Sequence, residues 1–225
     1  MLKDGLSASM MCVNFMDTKT DIEKLERAQI EYMHFDIMDG EFVSNYALGP
    51  CMINSIRKGT NIGVDIHLMV EHPERKIEYF DLREGDVVSV HVETTPHLRK
   101  VLQDLKARGV TVGVAINPST LEEKLKYVLD ILDFVLIMTV NPGFAGQKMV
   151  SISLEKIRDV RKYLDGHNGS HIKIQVDGNV SVENAIKMKQ AGADNFVCGT
   201  AGLFKKDMDI VTAASIMRNA LQECC

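Results

Sequence analysis

Eight times along this chain, a short and nearly all-apolar run is followed by a longer charged segment with helical spacing. The runs fall at 6–12, 32–37, 64–68, 87–91, 111–116, 134–138, 172–176 and 195–198. The helix candidates between and after them are 20–28, 51–58, 74–80, 97–108, 121–129, 154–164, 182–191 and 209–221. Strands that are apolar on both faces need cover on both sides, which is the situation of a parallel sheet. Eight strand–helix units in 225 residues predict a single-domain (β/α)8 TIM barrel over residues 1–225. An open doubly wound sheet is the competing architecture. It is disfavoured because no G-x-G-x-x-G follows the first strand.

Among the polar residues at or near the strand ends, four are informative. His34 and Asp36 stand two apart, so on a strand both point to the same side. His67 is the penultimate residue of the third predicted strand, and Asp177 follows the seventh. In a barrel, side chains at the C-terminal strand ends meet at one mouth. Two imidazoles and two carboxylates there suit a single divalent ion, Zn, Fe, Mn, Co or Mg, with the borderline cations better matched to imidazole. The carboxylates can also move protons.

Three glycine-bearing turns follow the sixth, seventh and eighth strands: 141–147, 177–179 and 198–203. Glycine lets backbone N–H groups approach an anion closely, and this end of a barrel commonly holds a phosphate. Gly202-Leu203-Phe204 is placed to begin a short phosphate-facing helix.

The bulk properties narrow the partners. A net charge of −5 argues against nucleic acid. The longest apolar stretch, 134–140, is too short to span a bilayer, and the N-terminus lacks a secretory h-region. Five cysteines without scaffold spacing suit reduced thiols and a cytoplasmic location. Cys224-Cys225 reads as an incidental tail, since no polybasic run or C-a-a-X box accompanies it.

The chain resembles the ribulose-phosphate 3-epimerase family over nearly its whole length. The resemblance is carried by Ser7-Ala-Ser-Met-Met-Cys12, His34-Phe-Asp-Ile-Met-Asp-Gly40, Asp65-Ile-His-Leu-Met-Val70, Met138-Thr-Val-Asn-Pro-Gly-Phe-Ala-Gly-Gln147, Val176-Asp-Gly178 and Gly199-Thr200. Ser-Met-Met-Cys, Phe-Ala-Gly-Gln and Gly-Thr-Ala-Gly-Leu-Phe are more similar to its D-allulose-6-phosphate 3-epimerase branch. The resemblance implies a metal held by His34, Asp36, His67 and Asp177, with Asp36 and Asp177 as the acid/base pair. It implies that Ser9 and His67 contact a small phosphorylated ketose. Gly143, Phe144, Ala145, Gly146, Gly178, Asn179, Gly199 and Thr200 would hold its phosphate. It also implies a homo-oligomer, dimer or hexamer. Met38, Met69 and Met138 are candidates for core packing or for an apolar wall at the reacting carbon.

Ala8, Glu41, Ser44 and Asn179 depart from the family pattern, which touches substrate selectivity and phosphate affinity rather than chemistry. Asp65 is placed to orient a ligand histidine, while Asp39 suits a turn or hydrogen-bonding role. His91 and Glu93 share parity at the mouth, open to either a structural or a substrate role. His72, His97, His167 and His171 read as surface. A related lyase or aldolase would need a lysine at a strand end. The only strand lysine, Lys173, is read as lying off the inward row.

Overall fold

In the computed structural model, which describes residues 1–224, eight parallel strands close on themselves. They are β1 (Gly5–Ser9), β2 (Tyr32–Asp39), β4 (Gly63–Met69), β5 (Val87–His91), β6 (Thr111–Ile116), β7 (Phe134–Met138), β8 (Lys173–Asp177) and β9 (Asn195–Cys198). β1 pairs with both β2 and β9, which shuts the ring. A two-residue strand, β3 (Tyr46–Ala47), folds back antiparallel on the end of β2. The helices are α1 (Thr18–Arg27), α2 (Pro50–Ile56), α3 (Leu98–Ala107), α4 (Ser153–Gly166), α5 (Val182–Ala191) and α6 (Ile210–Glu223). The (β/α)8 barrel expected from the alternation is therefore present.

Strand parity divides the core in two. Phe35, Ile66, Val88, Val112 and Ile174 point outward and pack under the helices. Tyr32, Val87, Ala115, Phe134, Leu136 and Met138 point inward and fill the barrel, with Leu2 plugging it from the N-terminal side. Gly113 makes room for this filling: a Cβ there would lie 2.3 Å from Phe134 Cζ. The rest of the interior is polar and cross-linked. Gln175 Nε2 donates to Asp65 Oδ2 at 2.7 Å and to Asn195 Oδ1 at 3.0 Å, and Ser7 Oγ donates to Asn195 Oδ1 at 2.9 Å.

Several local expectations are corrected. The first strand stops at Ser9, and Met10–Cys12 turns into a 3-10 helix. The segments 74–80 and 121–129 are not α-helices. Pro73–Arg75 and Ile77–Tyr79 are separate 3-10 turns, and Glu122–Leu125 is another. Their buried residues, Ile77 with Phe80 and Leu125 with Val128, stand three apart, which suits i→i+3 bonding. No helix begins at Gly202. Instead the N–H groups of Gly202, Leu203 and Phe204 all bond to Gly199 O in one turn. Lys173 does lie on the inward row, sharing parity with Gln175 and Asp177. It sits at the opposite, N-terminal mouth, where Nζ pairs with Asp4 at 2.8 Å and Asp194 at 3.3 Å. Cys224 is half-buried and its thiol donates to Leu221 O; Cys225 lies outside the described residues.

Candidate active site

The four predicted ligands converge. Register sets Asp36 beside His67 on β2 and β4, and β8 ends at Asp177 on the far side of β1 and β9. One ligand atom from each of His34, Asp36, His67 and Asp177 lies within 4.8 Å of every other. His34 Nε2 is 3.3 Å from Asp36 Oδ1 and 3.8 Å from Asp177 Oδ2. His67 Nδ1 is 3.2 Å from Asp36 Oδ1 and 3.9 Å from Asp177 Oδ2. Bonds of about 2.0–2.1 Å around a tetrahedral ion give ligand edges of about 3.3–3.4 Å. The spacing therefore fits a metal with little adjustment.

A second observation supports the fit. His34 Nδ1 lies 2.6 Å from Asp65 Oδ2. A carboxylate only accepts, so the proton sits on Nδ1. His34 Nε2 is fully buried, without a hydrogen-bond partner, and aimed at the cluster, where it would offer its lone pair to a bound cation that displaces its proton. Asp65 thus holds a histidine of the potential metal cluster, on the neighbouring strand, rather than His67 of its own strand.

The two carboxylates differ sharply in proton affinity. Burial favours the neutral form of Asp36, but the His34 and His67 imidazoles outweigh it and hold the group well below the ordinary carboxylate range. Asp177 is pushed up to about 7 by burial and by the Asp36 charge, with His34 opposing. His34 is raised well above its ordinary value: burial lowers it, but Asp65 and Asp36 more than compensate. His67 is drawn down to about 4 by burial, which outweighs the opposing hydrogen bond and charge of Asp36. Such a split between adjacent carboxyls, one ionised and one protonated, is the pattern of an acid/base pair.

Above the cluster opens a cleft of about 610 Å³ out to its rim. Ser9, Asp36, Asp177, Gly143, Phe144, Ala145, Gly146, Gly178, Asn179, Gly199 and Thr200 all line it, as do Met38, Met69 and Met138. His34 and His67 lie beneath its floor, fully buried. Ser9 Oγ donates to Asp36 Oδ2 at 3.2 Å. The glycine turns are built for close approach. Gly143, Gly146 and Gly178 have φ of +126°, +81° and +121°. A Cβ at Gly178 would meet Val140 Cγ2 at 2.7 Å.

Asn179 takes a left-handed φ of +50° and turns its amide onto the phosphate loop, donating to Gln147 O at 2.7 Å. Asn184 in turn donates to Asn179 Oδ1 at 2.8 Å. Asn179 therefore staples two loops together. Asn45 adds a third tie, to Gly143 O at 2.7 Å. Ala8 is buried on the outward row and neither it, Glu41 nor Ser44 lines the cleft.

Asp39 has the turn role expected of it. It accepts from the N–H groups of Glu41, Phe42 and Glu71 and from Lys76 Nζ. His72, His97, His167 and His171 are exposed. Sequence reasoning passed over Met11, Cys12, Gln147 and Val197, which also line the cleft. Met11, Cys12 and Gln147 lie inside quoted motifs and so carried a readable signal, whereas Val197 did not.

Closed parallel barrel, potential metal cluster at its C-terminal mouth and glycine turns on one side of it together define a (β/α)8-barrel enzyme. The particular family follows from sequence comparison. The model of the ribulose-phosphate 3 epimerase family matches residues 5–204, and the chain belongs to that family. It is therefore an isomerase of the epimerase class. It is 39% identical over 196 residues to ribulose-phosphate 3-epimerase of Bacillus subtilis (strain 168), covering 87% of this chain and 90% of the relative. It is also 39% identical over 204 residues to the chloroplastic ribulose-5-phosphate-3-epimerase of Arabidopsis thaliana, covering 90% and 72%. Among solved structures, KGPDC from Streptococcus mutans superposes with a TM-score of 0.70 over 99% of both chains. At 11% identity that likeness concerns the fold alone.

Proposed function

We propose that this protein epimerises C3 of a ketose phosphate, using Asp36 and Asp177 as its two proton carriers. The observation that carries the reading is the convergence of these two carboxyls with His34 and His67 at one end of a cleft bounded by glycine turns. His34, Asp36, His67 and Asp177 would hold a divalent metal, which supplies Lewis-acid stabilisation of charge on the substrate's C2 and C3 oxygens. Two imidazoles favour Zn, Fe, Mn or Co over Mg.

One aspartate takes the C3 proton as an ionised base, and the other returns a proton to the opposite face. The reverse turnover exchanges their roles. Ser9 steadies Asp36 through its hydroxyl. Met38, Met69 and Met138 line the cleft as an apolar wall and keep water from the intermediate. The turns at 143–146, 178–179 and 199–200 hold the phosphate through backbone N–H groups.

We take residues 1–225 as one catalytic domain, working as a homo-oligomer in the cytoplasm. The thiols of Cys12, Cys51, Cys198 and Cys224, all unpaired, suit a reducing compartment. For the substrate, the Ser-Met-Met-Cys, Phe-Ala-Gly-Gln and Gly-Thr-Ala-Gly-Leu-Phe motifs favour D-allulose 6-phosphate, giving D-fructose 6-phosphate. A second reading is D-ribulose 5-phosphate to D-xylulose 5-phosphate. It is favoured by the names of relatives 36–39% identical to the chain. The lyase or aldolase reading loses its lysine. Lys173 stands four strand residues below Asp177, about 13 Å away along the strand.

The test measures kcat/KM on both sugar phosphates, with solvent deuterium entry at C3, for the metal-loaded protein and for Asp36→Asn. Deuterium entry that Asp36→Asn lowers by about 10²-fold or more is the expected result. Near-wild-type turnover in that variant would overturn the two-carboxylate scheme. The larger kcat/KM assigns the sugar.

A further inference from the structure

The two ligand histidines reach the same point with opposite ring nitrogens: His34 with Nε2 and His67 with Nδ1. Asp65 explains the first choice. The second needs its own cause, because a free imidazole offers either nitrogen.

His67 Nε2 lies 2.9 Å from His91 Nε2, and both rings are fully buried. His91 stands at the end of β5, the strand next to β4, with the Phe42 ring packed at 4.7 Å from its centroid. Its other nitrogen, Nδ1, lies 3.0 Å from Glu93 Oε2. Glu93 is itself fixed. Its Oε1 accepts from Asn117 N–H at 3.0 Å and from the Thr120 hydroxyl, both on the loop after β6. Lys156 then pins that loop through Thr120 O and Glu122.

With a cation in place of the proton between His67 Nδ1 and Asp36 Oδ1, 3.2 Å apart, donor and acceptor roles along this row admit one assignment for neutral rings. Glu93 only accepts, so His91 carries its proton on Nδ1. His91 Nε2 is then a lone pair, and His67 must donate to it from Nε2–H. His67 Nδ1 is left unprotonated and faces Asp36 and Asp177. The row thus runs in one direction, from the loop after β6 to the ligand cluster.

We propose that His91, oriented by Glu93, is a positioning residue that fixes His67 as its Nε2–H tautomer, so that Nδ1 serves the metal. This rests on the metal-site reading above. His91 and Glu93 touch neither the cleft nor the reacting atoms, so their effect falls on metal affinity and on the geometry of His67.

The experiment titrates Co²⁺ into metal-stripped wild type, His91→Phe, His91→Gln and Glu93→Gln, following visible absorption and competition with a chelator. His91→Phe keeps a ring but offers no acceptor. It is expected to weaken Co²⁺ binding by about 10–100-fold and to alter the cobalt spectrum. His91→Gln, whose carbonyl accepts from Nε2–H, is expected to recover most of the loss, and Glu93→Gln to show a smaller one.

A purely structural role would give no such rescue. Nitrogen-15 NMR of the Zn²⁺-loaded wild type reads the tautomers directly, whether or not the variants fold. His67 protonated at Nε2 and His91 at Nδ1 is the expected pattern. A proton on His67 Nδ1 would overturn the inference, as would folded His91→Phe binding Co²⁺ like wild type. Wild type that takes up no Co²⁺ would instead refute the metal reading, and this inference with it, on a separate sample.

Discussion

Replacing Asp177 by asparagine should have opposite effects on the empty and the metal-loaded protein. Asp177 is raised from 3.8 to about 7 by burial and by the neighbouring Asp36 charge, and its side chain is only 16% exposed. The folded chain therefore holds this proton more tightly than the unfolded chain. The stability that results is fully present below 3.8 and is lost as pH rises through about 7. A shift of about three pH units corresponds to roughly 4 kcal/mol at about 1.36 kcal/mol each.

Above pH 7.5, metal-free wild type thus carries a buried, repelled carboxylate that metal-free Asp177→Asn lacks. The variant should be the more stable of the two there, by up to about 4 kcal/mol. The proton belongs to the Asp36–Asp177 pair as a unit, so the difference between the two proteins is the meaningful quantity. Urea unfolding of EDTA-stripped wild type and variant from pH 4 to 9 measures it. The two should converge near pH 4 and part across the window from 4 to 7. Added Zn²⁺ should reverse the order, because metal stabilises in proportion to RT ln(1 + [L]/Kd) and the variant has lost a ligand. Parallel curves for the two stripped proteins across that window would refute the reasoning.

Three further outcomes follow from the same geometry. Asp65→Asn keeps a shape match but removes the charge behind His34, and should weaken Zn²⁺ binding by about 10–100-fold in chelator competition. Gly178→Ala combines a φ of +121° with a Cβ 2.7 Å from Val140, so it should cost about 1–3 kcal/mol. Its KM for the sugar phosphate should rise more than its kcat falls, as steady-state kinetics will show. Phe134→Ala empties the barrel interior beside Gly113 and should cost about 3–5 kcal/mol in a denaturant titration. Its effect on metal affinity should be small.

Much of this molecule was legible before any coordinates. The alternation of apolar runs and charged helical segments gave the barrel, because strands covered on both faces have few other arrangements. Parity and strand-end placement gave His34, Asp36, His67 and Asp177, since side-chain direction on a strand follows from counting by two. Counting misplaced Lys173, whose inward direction is set by its parity with Gln175 and Asp177. Its distance from the site comes from its place at the other end of the strand. The α-helices expected at 74–80 and 121–129 failed where buried residues three apart favour tighter turns.

By itself, then, the sequence determined which residues gather at the mouth of a closed barrel, because burial and parity are written in residue order. Only the tertiary structure decided which nitrogen each histidine turns to the cluster and which aspartate binds a proton more tightly in the metal-free chain. Those properties depend on distances of about 3 Å between groups on different strands, such as Asp65 to His34 and His91 to His67. Electrostatic and hydrogen-bond energies fall steeply with such distances. Pattern along a chain fixes which side of a strand a residue occupies, but ring closure fixes its neighbours across the sheet.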